Sequence, residues 1–104
     1  MTFENWGFIY LGGGTEEPTV DRAVIETGGL RTTIVAVPER SAAAKVAVEL
    51  VEGGAQTVEL CGAAFGAATV AQMIQATGGR VPVGSVTYGM ESVPGLAALF
   101  APTR

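Results

Sequence analysis

Gly-Gly pairs divide this chain at regular intervals. They occur at residues 28–29, 53–54 and 78–79, each 25 residues after the one before. Each pair is followed by an apolar run rich in β-branched residues: LRTTIVAV, AQTVELC and RVPVGSV. Glycine ends helices readily because it adopts the left-handed conformation without a Cβ clash. The interval accommodates a short strand, a loop and a three-turn helix, so the pattern predicts a series of βα units.

Four βα units account for the whole chain, which we predict to be a single domain over residues 1–104. The pattern predicts strands at 6–11, 32–37, 57–61 and 81–87, and helices at 18–27, 39–52, 67–77 and 92–100. The second helix is the clearest, because its apolar side chains form one stripe. These side chains are Ala43, Val46, Ala47, Leu50 and Val51. The nearly continuous apolar strands are typical of a parallel sheet covered on both faces.

Strands that alternate with helices predict the α/β class with a parallel sheet. Four parallel strands allow two architectures. An open, doubly wound, flavodoxin-like sheet of order 2-1-3-4 is favoured, and half of a (βα)8 barrel of order 1-2-3-4 is the alternative. A half-barrel would leave a large apolar face uncovered unless two chains closed it. Because either sheet has exposed edges, we expect a homo-oligomer, a dimer or higher.

The composition excludes several functions. The chain is 48% apolar and 15% charged with a net charge of −4, which argues against a nucleic-acid partner. No apolar run approaches the length of a membrane span, and the amino terminus has no signal-peptide pattern. One cysteine permits no internal disulfide and is typical of a reducing compartment, so we predict a cytoplasmic protein. Because histidine is absent, we predict no metal site.

The predicted ligand site lies at the carboxyl ends of the strands, where parallel α/β sheets bind ligands. Four longer, more polar loops are expected there: LGGGTEEP, VPERS, CGAAFG and TYGMESVP. They predict a small polar or anionic ligand. The candidate ligand-binding residues in and beside these loops are Tyr10, Arg22, Glu26, Arg40, Gly62, Gly66 and Tyr88.

Glu59 and Cys61 are the candidate catalytic residues. Both fall on one face of the third predicted strand, with Thr57. A carboxylate in an apolar strand is costly to bury unless it is paired or protonated, and a desolvated carboxyl group is suited to acid–base chemistry. The alternatives are an ion pair of Glu59 with an arginine or exposure at a sheet edge, and a buried, unreactive Cys61.

The loop GGGTEEP resembles a phosphate loop only in its glycines. It lacks the G-K-[ST] ending and the G-x-G-x-x-G spacing. We therefore interpret it as a flexible loop and predict no cofactor. On the predicted first helix, Arg22 and Glu26 are four residues apart and are expected to form an ion pair. Arg22 or Arg40 is a candidate to orient an anionic substrate.

Four segments together indicate a family. WGFIYL, DRAVIETGG, VELCGAAFG and GGRVPVGSV follow one another between residues 6 and 86. In this order they resemble a family of small bacterial proteins defined as a domain of unknown function, with a W-x-F-I start and an E-L-C-G…F-G motif. The resemblance implies a small α/β fold and places Arg22, Glu26, Glu59 and Cys61 in the family's motifs. It implies no reaction, and the sequence leaves open whether the protein is an enzyme or a non-catalytic binding or assembly module.

Overall fold

A sheet of five strands, four of them parallel, forms the centre of the computed structural model, which describes residues 2–62 and 64–102. The strands are β1 (Asn5–Leu11), β2 (Arg22–Thr27), β3 (Leu30–Val37), β4 (Val58–Cys61) and β5 (Val83–Val86). The helices are α1 (Ala43–Glu52), α2 (Ala67–Ala76) and α3 (Val93–Leu99), and 3₁₀ turns at Arg40–Ala42 and Met90–Ser92 precede α1 and α3. The predicted α/β class is confirmed, and the sheet, predicted to be parallel, is parallel except for β2.

The predicted first helix, at 18–27, is wrong. Most of this segment forms β2, which pairs antiparallel with β3. Its residues RAVIET include adjacent β-branched side chains, which favour a strand over a helix. Gly28 and Gly29 have φ angles of 62° and 80°. Such a pair of left-handed glycines forms a two-residue hairpin turn, so this Gly-Gly pair joins two strands and ends no helix.

The strands lie in the order β2-β3-β1-β4-β5. The parallel strands alone have the order β3-β1-β4-β5, so the second strand of that set lies outside the first. This order excludes the half-barrel. The predicted four-strand flavodoxin-like topology is not confirmed, because the sheet has a fifth strand and a hairpin replaces the first crossover helix. The two remaining crossover helices, α1 and α2, pack against each other on one face of the sheet.

The core lies between that face and the two helices. The fully buried strand side chains are those of Ile9, Val35, Val37, Val58 and Leu60. The apolar stripe predicted for α1 is observed, with Ala43, Val46, Ala47 and Leu50 buried. From α2 the core receives Met73, whereas the neighbouring Ile74 is 43% exposed. Within the described part of the chain, no helix has the length and apolar character needed to cross a membrane.

Neither α1 nor α2 covers the opposite face of the sheet, which we call the bare face. Strand register assigns it Trp6, Phe8 and Tyr10 of β1, Ala23 and Ile25 of β2, Thr32, Ile34 and Ala36 of β3, Glu59 and Cys61 of β4, and Gly84 and Val86 of β5. Its large central side chains are outside the buried core cluster. The cover predicted for both faces of the strands is therefore provided by α1 and α2 on one face only.

Candidate functional site

Glu59 lies in the middle row of the bare face. In the register of the sheet it is opposite Phe8 on one side and Gly84 on the other. The side chain is partly buried. A Cβ built at Gly84 would meet no atom within 4 Å, so β5 leaves an open notch beside the carboxylate. Glu59 thus has an aromatic wall on one side and free space on the other.

Cys61 lies one row nearer the carboxyl ends of the strands. It is opposite Val86 of β5, and on its other side Tyr10 of β1 is the next bare-face residue after Phe8. The thiol is free and partly exposed. The structure therefore brings three predicted residues, Tyr10, Glu59 and Cys61, onto one continuous surface.

A hollow of about 280 Å³ opens beside Tyr10. It is lined by Tyr10, Asp21, Arg22, Ala23 and Ile34. Three of these residues belong to the bare face, so the hollow extends that surface from β1 toward β2. Phe8 and Tyr10 stand between this hollow and Glu59. The central strand therefore supplies aromatic side chains to both parts of the surface.

The predicted pairing of Arg22 with Glu26 is wrong, because the segment is a strand and not a helix. Arg22 donates to both carboxylate oxygens of Glu49 on α1, at 2.6 Å and 3.0 Å. Glu26, near the other end of β2, accepts from Arg31 at 2.7 Å. Both ion pairs lie on the face of the sheet that α1 covers, or at the edge of that face. The predicted grouping of Arg22 and Glu26 with Glu59 is not formed.

Arg40 lies near the loop that follows β4. Its Nε donates to the carbonyl oxygen of Ala64 at 2.7 Å. In the same loop, Gly62 N–H donates to the carbonyl oxygen of Val86 at 2.7 Å, and Gly66 caps the amino end of α2. Residue 63, also in this predicted site loop, lies outside the described residues. These contacts fix the loop against its neighbours.

Tyr88 is exposed two residues beyond β5. It lines a hollow of about 210 Å³ together with Gly62, Thr87 and three residues at the apolar C-terminal helix, Val93, Leu96 and Phe100. This second hollow also lies at the carboxyl end of the sheet, beside the Cys61 row.

The glycine-rich loop after β1 binds the carboxylate of Glu16, a residue of the same loop. The Glu16 carboxylate accepts hydrogen bonds from the backbone N–H groups of Gly13 and Gly14 at 2.7 Å and 2.8 Å. These bonds, that from Gly14 above all, lower the pKa of Glu16 below its ordinary value. The interpretation of this segment as a flexible loop missed that contact. A phosphate would have to displace Glu16 to reach the same amides.

A larger hollow, of about 600 Å³, lies at the amino ends of the parallel strands. Its polar groups already bond to one another: Gln56 Oε1 accepts from the N–H groups of Glu4 and Asn5, and Arg31 pairs with Glu26. If volume alone decided the choice of candidate site, this groove would be chosen over the two smaller hollows described above. We assign the candidate site to the bare face instead, because there a carboxylate lies beside aromatic side chains and open space.

Sequence reasoning missed Trp6, Phe8 and Gly84 as candidate site residues. The signal was present in WGFIYL, where aromatic residues occupy every second position and alternate with Gly7, Ile9 and Leu11. A period of two places the aromatic residues on one face. In the described residues, no cluster of three or more Cys, Asp or Glu side chains could hold a metal ion.

The fold and the site define an α/β protein with a largely parallel sheet, two helices on one face and an aromatic surface with a carboxylate on the other. The chain belongs to a family of unknown function, DUF6506, which it matches over residues 4–101. The resemblance to a domain-of-unknown-function family is thereby confirmed. The chain matches none of the curated proteins and none of the solved structures with which it was compared.

Proposed function

We propose that the bare face binds a small organic molecule that presents a positive charge or a hydrogen-bond donor to Glu59. The supporting observation is that Glu59 is the one charged residue among the bare-face positions of the described strands. Aromatic side chains flank it on β1, and the Gly84 notch leaves space beside it. Aromatic faces attract cations, and a nearby carboxylate strengthens that preference.

An anionic ligand is less favoured at this surface. The arginines expected to orient it are engaged elsewhere: Arg22 binds Glu49, and Arg40 binds the Ala64 carbonyl oxygen. None of the described lysine or arginine residues occupies a bare-face position of a strand. We therefore narrow the predicted polar or anionic ligand to one that is cationic or rich in hydrogen-bond donors.

If the ligand is turned over, Glu59 is the residue we assign as the acid or base. It would exchange a proton with the donor group that it binds, while Phe8 and Tyr10 contact the apolar part of the molecule. Cys61 would line the same surface. We assign it no covalent role, because the chain has no histidine to activate a thiol.

Two probes with the same skeleton and opposite charge test this proposal: phenethylamine and phenylpropionate. Amide chemical shifts of the ¹⁵N-labelled protein would be followed during each titration. We expect the amine to shift the amides of Phe8, Glu59 and Gly84, and the carboxylate to leave them unchanged. Preferential binding of the carboxylate, or shifts confined to residues of the α1 face, would refute the proposal.

Variants separate the charge of Glu59 from its shape. Glu59→Gln keeps the shape and removes the charge, so we expect stability within about 1–2 kcal/mol of the parent and loss of the amine-induced shifts. Gly84→Leu fills the notch and should weaken binding without changing charge. Glu52→Gln, on the exposed end of α1, is the matched control and should leave binding unchanged.

Glu59→Leu distinguishes a functional from a structural carboxylate. If Glu59 served stability through a buried ion pair, removing it would cost about 3–5 kcal/mol. On the proposed function we expect a neutral or stabilising effect, because functional carboxylates often occupy positions that stability alone would not select. Large losses of stability in both Glu59 variants, with the amine-induced shifts retained, would show that Glu59 is architectural.

A second candidate function is supported by the apolar character of the same surface. A non-catalytic module that assembles through the bare face would need its aromatic and aliphatic side chains more than Glu59. For this module we expect self-association in the absence of any ligand, and no response to the amine.

A further inference from the structure

The bare face leaves apolar side chains in water that a second layer would normally cover. Tyr10, Ile25 and Val86 are 41%, 50% and 50% exposed, at the centre and at both edges of the sheet. The radius of gyration is 14.6 Å, against about 13 Å for a compact domain of this size. The isolated chain is thus less compact than its length predicts.

The C-terminal helix, α3, also leaves apolar side chains exposed to water. The segment from Val93 to Phe100 contains no charged residue, and no residue of α3 is buried. Leu99 and Phe100 are 72% and 73% exposed. A helix that is apolar all round is stable only when something covers it. Its own chain covers α3 only in part, because Leu96 is half-buried beside the hollow that Gly62 and Tyr88 line, so the remaining apolar surface of α3 is available to a partner.

We propose that two copies of this chain associate through their bare faces, and that α3 of each copy packs against the bare face of the other. Every copy has one uncovered sheet face and one exposed apolar helix. In a two-fold symmetric pair, the helix of each copy covers the sheet face of the other. The inference extends the second candidate function and requires no ligand.

The area of the bare face supports the contribution of α3. Five strands about 4.8 Å apart and three rows about 6.6 Å apart give a surface of roughly 500 Å². A stable interface buries about 800 Å² on each partner. The bare face alone falls short of that figure, so the proposed pair also needs contacts from the apolar helix of each copy. Glu59 is the only charged strand position of this surface in the described chain, so its carboxylate is the one charge that the paired faces must accommodate.

Matched substitutions on β2 test which face is covered. Ile25 is on the bare face and its neighbour Val24 on the α1 face, with similar exposures of 50% and 44%. Light scattering of the ligand-free protein should give twice the chain mass of 10.6 kDa. We expect Ile25→Lys and Leu99→Lys each to raise the dimer dissociation constant by about 100-fold, since the change occurs twice in a symmetric dimer. Val24→Lys should leave it within about threefold.

Cys61 provides a test in the unmodified protein. It is the chain's single cysteine and lies on the bare face, so its rate of maleimide labelling should fall as the protein concentration rises and dimers form. Any of three results would overturn the proposal. The first is the mass of one chain at all concentrations up to about 100 μM, which is a hundredfold above a micromolar dissociation constant. The second is a dimer weakened by Val24→Lys and not by Ile25→Lys, and the third is a dimer whose Cys61 labelling rate does not change with concentration. A dimer insensitive to Leu99→Lys would overturn the role of α3. None of these measurements involves a ligand, so the dimer is tested separately from amine binding.

Discussion

Replacing Gly62 with alanine tests how closely the ends of β4 and β5 fit together. A Cβ built at Gly62 would lie 2.6 Å from the carbonyl oxygen of Val86 and 2.8 Å from Cγ2 of Thr87. The Gly62 N–H donates to the same Val86 oxygen at 2.7 Å. That oxygen is part of the backbone and cannot turn aside as the end of a flexible side chain can. We therefore expect the two strand ends to separate in the variant.

The expected loss of stability follows from these distances. Non-bonded heavy atoms are at rest about 3.5 Å apart, so the new methyl group overlaps its neighbours by roughly 0.7–0.9 Å. Overpacking of this kind costs about 1–3 kcal/mol, and loss of the Gly62 hydrogen bond adds about 1 kcal/mol. We expect Gly62→Ala to be destabilised by about 2–4 kcal/mol, out of a total of about 5–15 kcal/mol for a domain of this length.

Urea denaturation measures this difference, with Gly66→Ala as the control in the same loop. A Cβ at Gly66 meets no atom within 4 Å. There the entropic gain of about 0.4–1 kcal/mol from removing a glycine is opposed by a similar loss at a helix cap. The control should remain within about 1 kcal/mol of the parent. Equal effects of the two substitutions, or a Gly62→Ala protein within about 1 kcal/mol of the parent, would refute the reasoning.

Two further predictions concern Gly7 and Glu16. Gly7→Ala places a Cβ 2.6 Å from Cδ1 of the buried Leu50, so we expect a loss of about 1–3 kcal/mol in urea denaturation; unchanged stability would show that Leu50 repacks freely. Because the pKa of Glu16 is lowered in the fold, its bonds to Gly13 and Gly14 contribute stability above the ordinary pKa and are lost as the pH falls through the lowered one. The two glycine amide shifts should therefore titrate below the ordinary pKa of a glutamate in the parent and not in Glu16→Gln, and a midpoint at or above the ordinary pKa would contradict the assignment.

The sequence correctly predicted the elements whose residue patterns are typical of only one kind of secondary structure. The stripe of α1 has the helical period, and the apolar run of β3 is too short and too β-branched for a helix. Both were found where predicted. The Gly-Gly pairs were ambiguous, because left-handed glycines both end helices and form hairpin turns. At Gly28–Gly29 the adjacent β-branched residues of β2 favoured the hairpin over a helix end, and the pairing of β2 with β3 is the contact that decides between them.

The same limit applies to the candidate site. Alternation along β4 correctly placed Glu59 and Cys61 on one face. The expected grouping with Arg22 and Glu26 depended on the helix that is not formed. Gly84 offered no signal of its own, because a glycine in a strand acquires meaning only from the neighbour whose space it leaves open. The sequence predicted which residues of one strand share a face, whereas it did not predict which residues of the neighbouring strands lie beside them.

The hairpin also explains why the face with Glu59 is bare. Crossovers between parallel strands are right-handed, so helices that connect strands in one direction along a sheet lie on one face. Both α1 and α2 connect strands in the direction from β3 to β5 and therefore share a face. A helix between β1 and β3 would have run in the opposite direction and covered the other face. Because β2 makes that connection as a strand, the aromatic stripe of β1 and the carboxylate of Glu59 are left accessible to a ligand or to a second copy of the chain.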